Sequence, residues 1–316
     1  MSVFEFQPYD PLKRKLPYLI RNGEKRVGDQ IKNQQLKSAK FVLIGISENV
    51  GPQANLGRPG SENAFAAFSK VFFNTQFYPD SKIDQLAFLG QINQIAQPND
   101  RPQACEYVKQ LDTMLYNILS DNVAANQIPI IVGGGHNNAL PLMRWAAKQN
   151  PLSVVNIDAH ADLRDTDKRH SGNSFSFALE EGLLKNYAVF GLHEAFNNEI
   201  IRTQLKQKNV HYRFFEDYLT RKFSLKEDVL NFLEDNPQHI GLELDMDALA
   251  FMPSSAFSPS GWSLDEIRSM VLHLGHSEIK FAYLNLTEAA PLDDREDLIV
   301  GKALSYLVRD FCASVK

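Results

Sequence analysis

The sequence is poor in several features that mark particular classes of protein. It has only two cysteines, Cys105 and Cys312, which are too few and too far apart for a disulfide framework and suit a reducing cytosol. No apolar run approaches the roughly 20 residues that span a bilayer. The N-terminus carries acid and proline but no apolar segment, so we expect no signal peptide, no membrane partner and a cytoplasmic protein.

The chain also has no excess of basic residues. Its 33 Lys and Arg against 38 Asp and Glu give a net charge of −5, which argues against a nucleic-acid partner. A hydrophobic content of 44% and a charged content of 22% are ordinary for a folded globular protein. Composition therefore argues against membrane, secreted and fibrous proteins, and it indicates nothing about the chemistry.

Three common nucleotide-binding and hydrolase motifs are missing. The glycine-rich stretch ending at His136 is not followed by Gly-Lys-Ser/Thr, which excludes a P-loop. No G-x-G-x-x-G is present, so a dinucleotide-binding fold has no support. No G-x-S-x-G is present either, which excludes the nucleophile elbow of an esterase.

Short apolar runs alternate with longer amphipathic stretches after a polar N-terminal arm of about 35 residues. The predicted strands are Lys40–Ile46, Leu86–Ile92, Ile128–Val132, Leu152–Ile157, Tyr187–Leu192, Val210–Phe215, His239–Leu244 and Lys280–Leu286. The predicted helices include Cys105–Val123, Ser263–Leu274 and Asp294–Cys312. This alternation predicts one α/β domain over residues 1–316, a three-layer α/β/α structure with a mostly parallel central sheet of about eight strands.

Polar residues follow four of these strands where an apolar strand does not need them. They are His136 after Ile128–Val132, Asp158, His160 and Asp162 after Leu152–Ile157, Asp245 and Asp247 after His239–Leu244, and Glu288 after Lys280–Leu286. Parallel sheets bind ligands beyond the carboxyl ends of their strands, so we expect these side chains to meet.

The first three of these strand ends supply two imidazoles and four carboxylates, a nitrogen and oxygen ligand set that suits Mn, Fe or Zn. Residues at i, i+2 and i+4 of an extended segment share one face, which would crowd Asp158 and Asp162 against each other unless a cation lies between them. Each motif taken alone has an ordinary structural explanation, such as a loop histidine or an acidic turn. Their joint occurrence at strand ends predicts a centre for two divalent ions.

These motifs, in this order, resemble the ureohydrolase superfamily, which contains arginases, agmatinases and formimidoylglutamases. The resemblance rests on GGGH ending at His136, DAHAD over 158–162, DMD over 245–247 and EAAP from Glu288, with NLGRPG over 55–60 similar to a glycine-rich loop of the family. It spans about residues 44–291 and implies the arginase-like fold, a pair of Mn²⁺ ions at the C-terminal edge of the sheet, and a trimer or hexamer.

Within the superfamily the formimidoylglutamase branch is the most similar. Gly135 stands where arginases and agmatinases usually have Asp, DAHAD continues to Arg164, and Phe175 stands where an arginase has a histidine. Two departures concern the pocket. Asn137 is not the residue expected after the metal histidine, and the segment 250–262 lacks the usual Ala-Pro-Gly run.

The resemblance implies roles for the site residues. One ion would be held by His136, Asp158, Asp162 and Asp245, and the other by Asp158, His160, Asp245 and Asp247, with a water molecule ionised between them. Asp162 would carry a proton to the leaving nitrogen, and Glu288 would hold the cationic amidine. The reaction implied is hydrolysis of N-formimidoyl-L-glutamate to L-glutamate and formamide.

The two carboxylates of that substrate need cationic or donor side chains. Arg164, Arg169 and Arg58 are the candidates, with Asn173 and Ser171 as further donors, although each arginine could equally be an ordinary surface residue. The other histidines lack ligand spacing, and we expect them to be structural. They are His170, His193, His211, His239, His273 and His276.

Three alternatives remain open from the sequence. A guanidine ureohydrolase acting on arginine, agmatine or guanidinobutyrate would release urea instead of formamide. A non-catalytic relative would use the fold as a binding module, but such a protein is expected to lose ligands, and the complete set is present here. A metal-dependent phosphoesterase would be expected to show a clearer set of His and Asn ligands.

Overall fold

The computed structural model describes residues 2–13, 15–19, 21–31, 35–220, 222–236, 239–274 and 278–316. Its strands are β1 (Phe4–Pro8), β2 (Phe41–Ser47), β3 (Leu86–Gln94), β4 (Ile128–Val132), β5 (Leu152–Ile157), β6 (Leu184–Leu192), β7 (His211–Phe214), β8 (Ile240–Asp245) and β9 (Phe281–Thr287). Its α-helices are α1 (Val27–Ile31), α2 (Val50–Ala54), α3 (Ala64–Phe72), α4 (Arg101–Asn122), α5 (Ala139–Ala147), α6 (Ser174–Glu180), α7 (Glu199–Gln207), α8 (Phe215–Leu219), α9 (Leu225–Asp235), α10 (Leu264–Leu274) and α11 (Asp294–Ser314).

The strands form one sheet in the order β1-β3-β2-β4-β9-β8-β5-β6-β7. Strand β1 runs antiparallel to β3, and every other neighbouring pair is parallel. All eight predicted strands are present, with ends that differ by a few residues. The predicted α/β class and mostly parallel sheet are therefore confirmed.

The N-terminal arm contributes a ninth strand that the sequence did not predict. Residues Phe4 to Pro8 pair with Gln94 to Gly90 of β3, and Phe4 is buried on the sheet. The sequence FEFQP is too short and too polar to stand out, because an edge strand needs only one buried face. The sheet thus has nine strands where about eight are expected, and residues 4–8 of the arm belong to it.

Apolar layers cover both faces of the sheet. In β2, Phe41 and Leu43 point into one core with α3, α10 and α11, whereas Val42 and Ile44 point into the other with α4, α5 and α6. This alternation follows from the two-residue period of a strand. The structure therefore has helix, sheet and helix layers, and the carboxyl ends of the strands are where a parallel sheet binds ligands.

Local capping explains where the long helices begin. Ser263 and Glu266 bond each other's backbone N–H groups at the start of α10, which is the capping-box arrangement. The carboxylate of Asp100 accepts from the N–H of Gln103, so α4 starts four residues earlier than apolar spacing alone predicts.

No helix among the described residues is both long and apolar enough to cross a bilayer. One sheet spans residues 4 to 287, which is compatible with the single domain that the sequence predicts. The domain assignment itself stays a prediction.

Candidate metal centre

Four adjacent strands carry the predicted site residues at their carboxyl ends. Strands β4, β9, β8 and β5 are neighbours in that order, and they are followed or ended by His136, Glu288, Asp245 and Asp158 respectively. Residues separated by up to about 150 positions in the chain therefore meet at one edge of the sheet.

A buried imidazole lies at the middle of a carboxylate cluster. The Nδ1 atom of His136 is 2.9 Å from Asp245 Oδ2, 3.1 Å from Asp162 Oδ2 and 3.3 Å from Asp158 Oδ2. One ligand atom from each of these four residues lies within 4.8 Å of the others. They are the four residues expected to hold the first ion.

The second histidine faces the same cluster from the cleft. The Nδ1 atom of His160 is 3.6 Å from Asp158 Oδ1 and 3.7 Å from Asp247 Oδ2. Asp158 therefore presents one oxygen to each histidine, which is the arrangement of a carboxylate that bridges two ions. The imidazole of His160 also stacks on Phe196, with ring centres 5.6 Å apart.

The pKa values of the clustered aspartates indicate a site that favours a bound cation. Burial raises the pKa of Asp245, and the charges of Asp158 and Asp247 raise it further. Burial and the charge of Asp158 likewise raise the pKa of Asp162. Burial would also raise the pKa of Asp158, but its bonds to His136 and His160 lower it overall. So many carboxylates in a buried site repel one another unless positive charge is placed among them.

The neighbouring carboxylates raise the pKa values of the two histidines, against the effect of burial. Burial would lower the pKa of His160, yet the neighbouring Asp158 and Asp247 raise it to about 10. Burial would lower that of His136 too, but the surrounding carboxylates raise it well above its usual value. Neither ring nitrogen of His136 has a hydrogen-bond partner of good geometry among the described residues. A divalent cation would offset the repulsion between the carboxylates and would accept a lone pair from His136, so the residues present fit a metal centre.

Two site residues have a left-handed backbone that side chains rarely adopt. Asp162 has φ of 49° and Glu288 has φ of 63°. Such conformations are unfavourable by about 1–3 kcal/mol each and persist where the surroundings impose them. Both turns direct a carboxylate into the cleft beyond the strand ends.

Glu288 has one bound and one free carboxylate oxygen. Its Oε1 accepts from the backbone N–H of His136 at 2.7 Å, and its buried Oε2 has no partner among the described residues. Burial, with the charge of Asp247, raises its pKa to about 8. A cationic group in the cleft would lower this pKa again, and the ionised free oxygen would then accept a hydrogen bond from it.

The atypical segment 250–262 has a clear structural role. The backbone N–H of Ala256 donates to Asp247 Oδ1 at 2.8 Å, and the hydroxyl of Ser255 donates to Oδ2 at 3.2 Å. Ser255 and Ala256 also line the cleft. The segment therefore fixes the orientation of Asp247 and forms one wall of the pocket.

A cleft of about 350 Å³ opens above the cluster. It is lined by the site residues His160, Asp162, Asp245, Asp247 and Glu288, by the buried Ser171, and towards solvent by Arg58, Arg164, Asn55 and Asn198. Arg164 is exposed, and no acidic partner for it is found among the described residues. Arg58 differs because its guanidinium is 3.1 Å from Glu296.

Two of the expected substrate contacts are wrong. Arg169 is 2% exposed and bonds to Asp112, Asn137, His170, Asn173 and Ser174. The amide of Asn173 is buried as well and bonds the backbone of Asp165 and Lys168. Neither side chain lines the cleft, because both are used to hold the loop between β5 and α6 together.

The remaining histidines have structural contacts where they are described. His170 caps the turn before α6 by accepting from Gly172 N–H, and His193 stacks between Phe196 and Phe215. The ring of His211 packs on Phe190. His239 and His273 bond backbone carbonyls. His276 lies outside the described residues.

Two buried glutamates at the site were missed by the sequence analysis. Glu48 follows β2 and accepts from Gly135 N–H at 2.7 Å and Gly51 N–H at 3.1 Å, which holds the glycine-rich turn before His136. Glu243 lies within β8, 3.4 Å from His136 Nε2. The signal for Glu48 was a strand-end carboxylate like the others, and for Glu243 a charged residue inside an apolar strand.

The chain is similar in sequence and in fold to known proteins. Formimidoylglutamase from Paraburkholderia xenovorans strain LB400 is 28% identical over 288 residues, covering 84% of this chain and 86% of that one. The structure of formimidoylglutamase from Bacillus subtilis superposes with a TM-score of 0.78 at 19% identity, covering 94% and 93% of the two chains. That of Trypanosoma cruzi formiminoglutamase with Mn²⁺ gives 0.74 at 20% identity, covering 93% and 100%. The model of the arginase family matches residues 39–313, and the chain therefore belongs to that family.

Proposed function

We propose that the chain is a metal-dependent hydrolase of linear amidines whose substrate is N-formimidoyl-L-glutamate. The observation that carries the proposal is the buried cluster of two histidines and four aspartates, with the free oxygen of Glu288 beside it in the cleft. The proteins named above, from Paraburkholderia, Bacillus and Trypanosoma, support this choice of substrate.

The ligand sets are those that the family resemblance implies, and the distances within the cluster support them. His136, Asp158, Asp162 and Asp245 would hold one divalent ion, and Asp158, His160, Asp245 and Asp247 the other, with Mn²⁺ as the expected metal. Two bound ions would supply hydroxide near neutral pH by lowering the pKa of a water molecule. The protein must then orient the amidine and move one proton.

Glu288 would orient the substrate. Its free Oε2 would accept from the protonated amidine nitrogen in a charge-assisted hydrogen bond, while Oε1 stays fixed by the N–H of His136. This places the planar formimidoyl carbon over the aspartates rather than at the mouth of the cleft.

Asp162 would move the proton. Its Oδ2 faces His136, so its other carboxylate oxygen would accept a hydrogen bond from the attacking hydroxide. Once the hydroxide oxygen has bonded to the formimidoyl carbon, Asp162 would take the remaining O–H proton and pass it to the departing nitrogen. The bond between the formimidoyl carbon and the glutamate nitrogen then breaks. The carbon leaves as formamide, and the protonated nitrogen becomes the amino group of glutamate.

Arg164 would bind a carboxylate of the glutamate part. It stands at the mouth of the cleft without an acidic partner among the residues described, whereas Arg58 is already paired with Glu296. Arginine presents a planar fork of donors that matches a carboxylate. Agmatine has no carboxylate, so it would gain nothing from Arg164.

The cytoplasmic location and the trimeric or hexameric assembly that the sequence suggests stay predictions. A sedimentation-equilibrium mass for the purified chain would test the assembly.

Product analysis tests the proposed function. Protein reconstituted with Mn²⁺ is incubated with formimidoylglutamate, arginine, agmatine and guanidinobutyrate at equal concentration. We expect formamide and glutamate from the first and no urea from the others, with Asp158→Ala inactive on all as the control for contaminating enzymes. If a guanidine releases urea faster than formimidoylglutamate releases formamide, the chain is a guanidine ureohydrolase instead. No product from any of the four compounds would favour a binding module.

A further inference from the structure

Three buried polar side chains form a row across the sheet directly beneath the proposed metal centre. Asn156, Glu243 and Asn285 lie side by side on β5, β8 and β9, and each is 0% exposed. Asn156 and Glu243 stand two residues before Asp158 and Asp245, so these side chains share a face with the proposed ligands. A glutamate at such a depth requires a specific reason.

Glu243 is held on one side and faces His136 on the other. Its Oε1 accepts from the hydroxyl of Tyr283 at 2.8 Å, and its Oε2 accepts from the side-chain amide of Asn285 at 2.6 Å. The same Oε2 lies 3.4 Å from Nε2 of His136. The other ring nitrogen of His136, Nδ1, faces the three aspartates instead.

The two ring nitrogens of His136 thus have different surroundings, Glu243 beside Nε2 and the aspartates beside Nδ1. A neutral imidazole has one N–H donor and one lone pair, and its surroundings select between the two tautomers. With a divalent ion among the three aspartates, Nδ1 would have to give its lone pair to the metal, and Glu243 is the acceptor that lies beside Nε2 to hold the remaining proton there. Histidines that bind metals generally donate their other N–H to such an acceptor.

We propose that Glu243 is a positioning residue that fixes the tautomer and orientation of His136 and so strengthens binding of one of the two ions. This inference rests on the metal centre of the proposed function. The effect should be confined to the ion held by His136, because the described contacts of His160 are with Asp158, Asp247 and Phe196. Glu243 would thus make the two sites unequal in affinity.

The test is a titration of Glu243→Gln with Mn²⁺ alone, with free Mn²⁺ counted by its electron paramagnetic resonance signal. Glutamine keeps the shape of the side chain, and the hydroxyl of Tyr283 can reverse its bond, but the strong carboxylate acceptor is lost. We expect the affinity for one ion to fall by about 10–100-fold and that for the other to stay within about threefold. Tyr283→Phe is the matched control, since it removes a bond to Oε1 and leaves Oε2 facing His136, and we expect a smaller loss.

Two results would overturn the inference, namely wild-type affinity for both ions in Glu243→Gln or an equal loss of both. No substrate is used, so a wrong substrate assignment does not affect the outcome, whereas a wild-type protein that binds no Mn²⁺ would refute the proposed function itself.

If Glu243→Gln does not fold, the tautomer of His136 can be determined by NMR in the wild-type protein. A long-range ¹H–¹⁵N spectrum of the Zn²⁺-loaded protein should show the His136 proton on Nε2. A proton on Nδ1 would refute the proposal.

Discussion

Two arginines five positions apart show how strongly the role of a residue depends on packing. Arg164 is exposed at the mouth of the cleft, whereas Arg169 is buried and bound to Asp112 and Asn173. Both follow DAHAD on one polar loop, so the sequence offers no means of telling them apart. Only the structure shows that one is free to meet a substrate and that the other holds the protein together.

Substitution of the two arginines should separate binding from stability. Arg169→Met leaves Asp112, whose pKa burial already raises, without its cation, and we expect a loss of about 3–5 kcal/mol in the free energy of unfolding. Arg164→Ala should change that free energy by less than about 0.5 kcal/mol. It should instead raise KM for formimidoylglutamate about tenfold, by loss of a charge-assisted bond. Denaturation and steady-state kinetics measure the two effects, and an unchanged KM in Arg164→Ala would remove it as the carboxylate contact.

Glu288 allows a similar separation between metal binding and turnover. Glu288→Gln keeps an oxygen for the N–H of His136 but loses the charge that would hold the amidine. We expect kcat/KM to fall by about 100-fold or more while the Mn²⁺ content is unchanged. Elemental analysis beside the assay checks this, and a parallel loss of metal would mean that Glu288 serves the ligands instead.

At the scale of elements, strands were easier to predict than loops. Apolar runs fix strands such as Ile128–Val132 and Leu152–Ile157, because a parallel strand is buried on both faces. The edge strand Phe4–Pro8 has no such run and was missed. The loop between β5 and α6 could be recognised by its motif, but the bonds of Arg169 and His170 within it depend on distant partners.

That loop should carry a measurable pH dependence of stability. Burial, and next the charges of Arg164 and Arg169, lower the pKa of His170 to about 4 from an ordinary 6.5. The neutral ring is therefore the folded form, and its contribution is complete above pH 6.5 and is lost as the pH falls towards 4.

The substitution His170→Asn keeps an acceptor for Gly172 N–H but cannot take up the proton. We expect its melting temperature to fall less than that of the wild type between pH 7.5 and 4.5. Acidic groups that titrate in both proteins cancel in the comparison. If the melting temperatures of the two proteins fall by the same amount across this pH range, His170 does not titrate in the expected window.

At the scale of the whole molecule, the sheet order creates the site. Strands β4, β9, β8 and β5 come from distant parts of the chain, and their neighbourhood brings His136 and Asp245 within 2.9 Å. The strand-end rule and the family resemblance were enough to predict the cluster. They could not predict the roles of Glu48 and Glu243, because the role of a buried carboxylate depends on hydrogen-bond donors from distant parts of the chain.

The most direct test of the account is the anomalous scattering of crystals grown with Mn²⁺, recorded at the manganese absorption edge. The account predicts two peaks per chain, about 3.5–4 Å apart, one beside His136 and one beside His160, with Asp158 between them. A single peak, or no peak among these side chains in protein that is active with Mn²⁺, would contradict it.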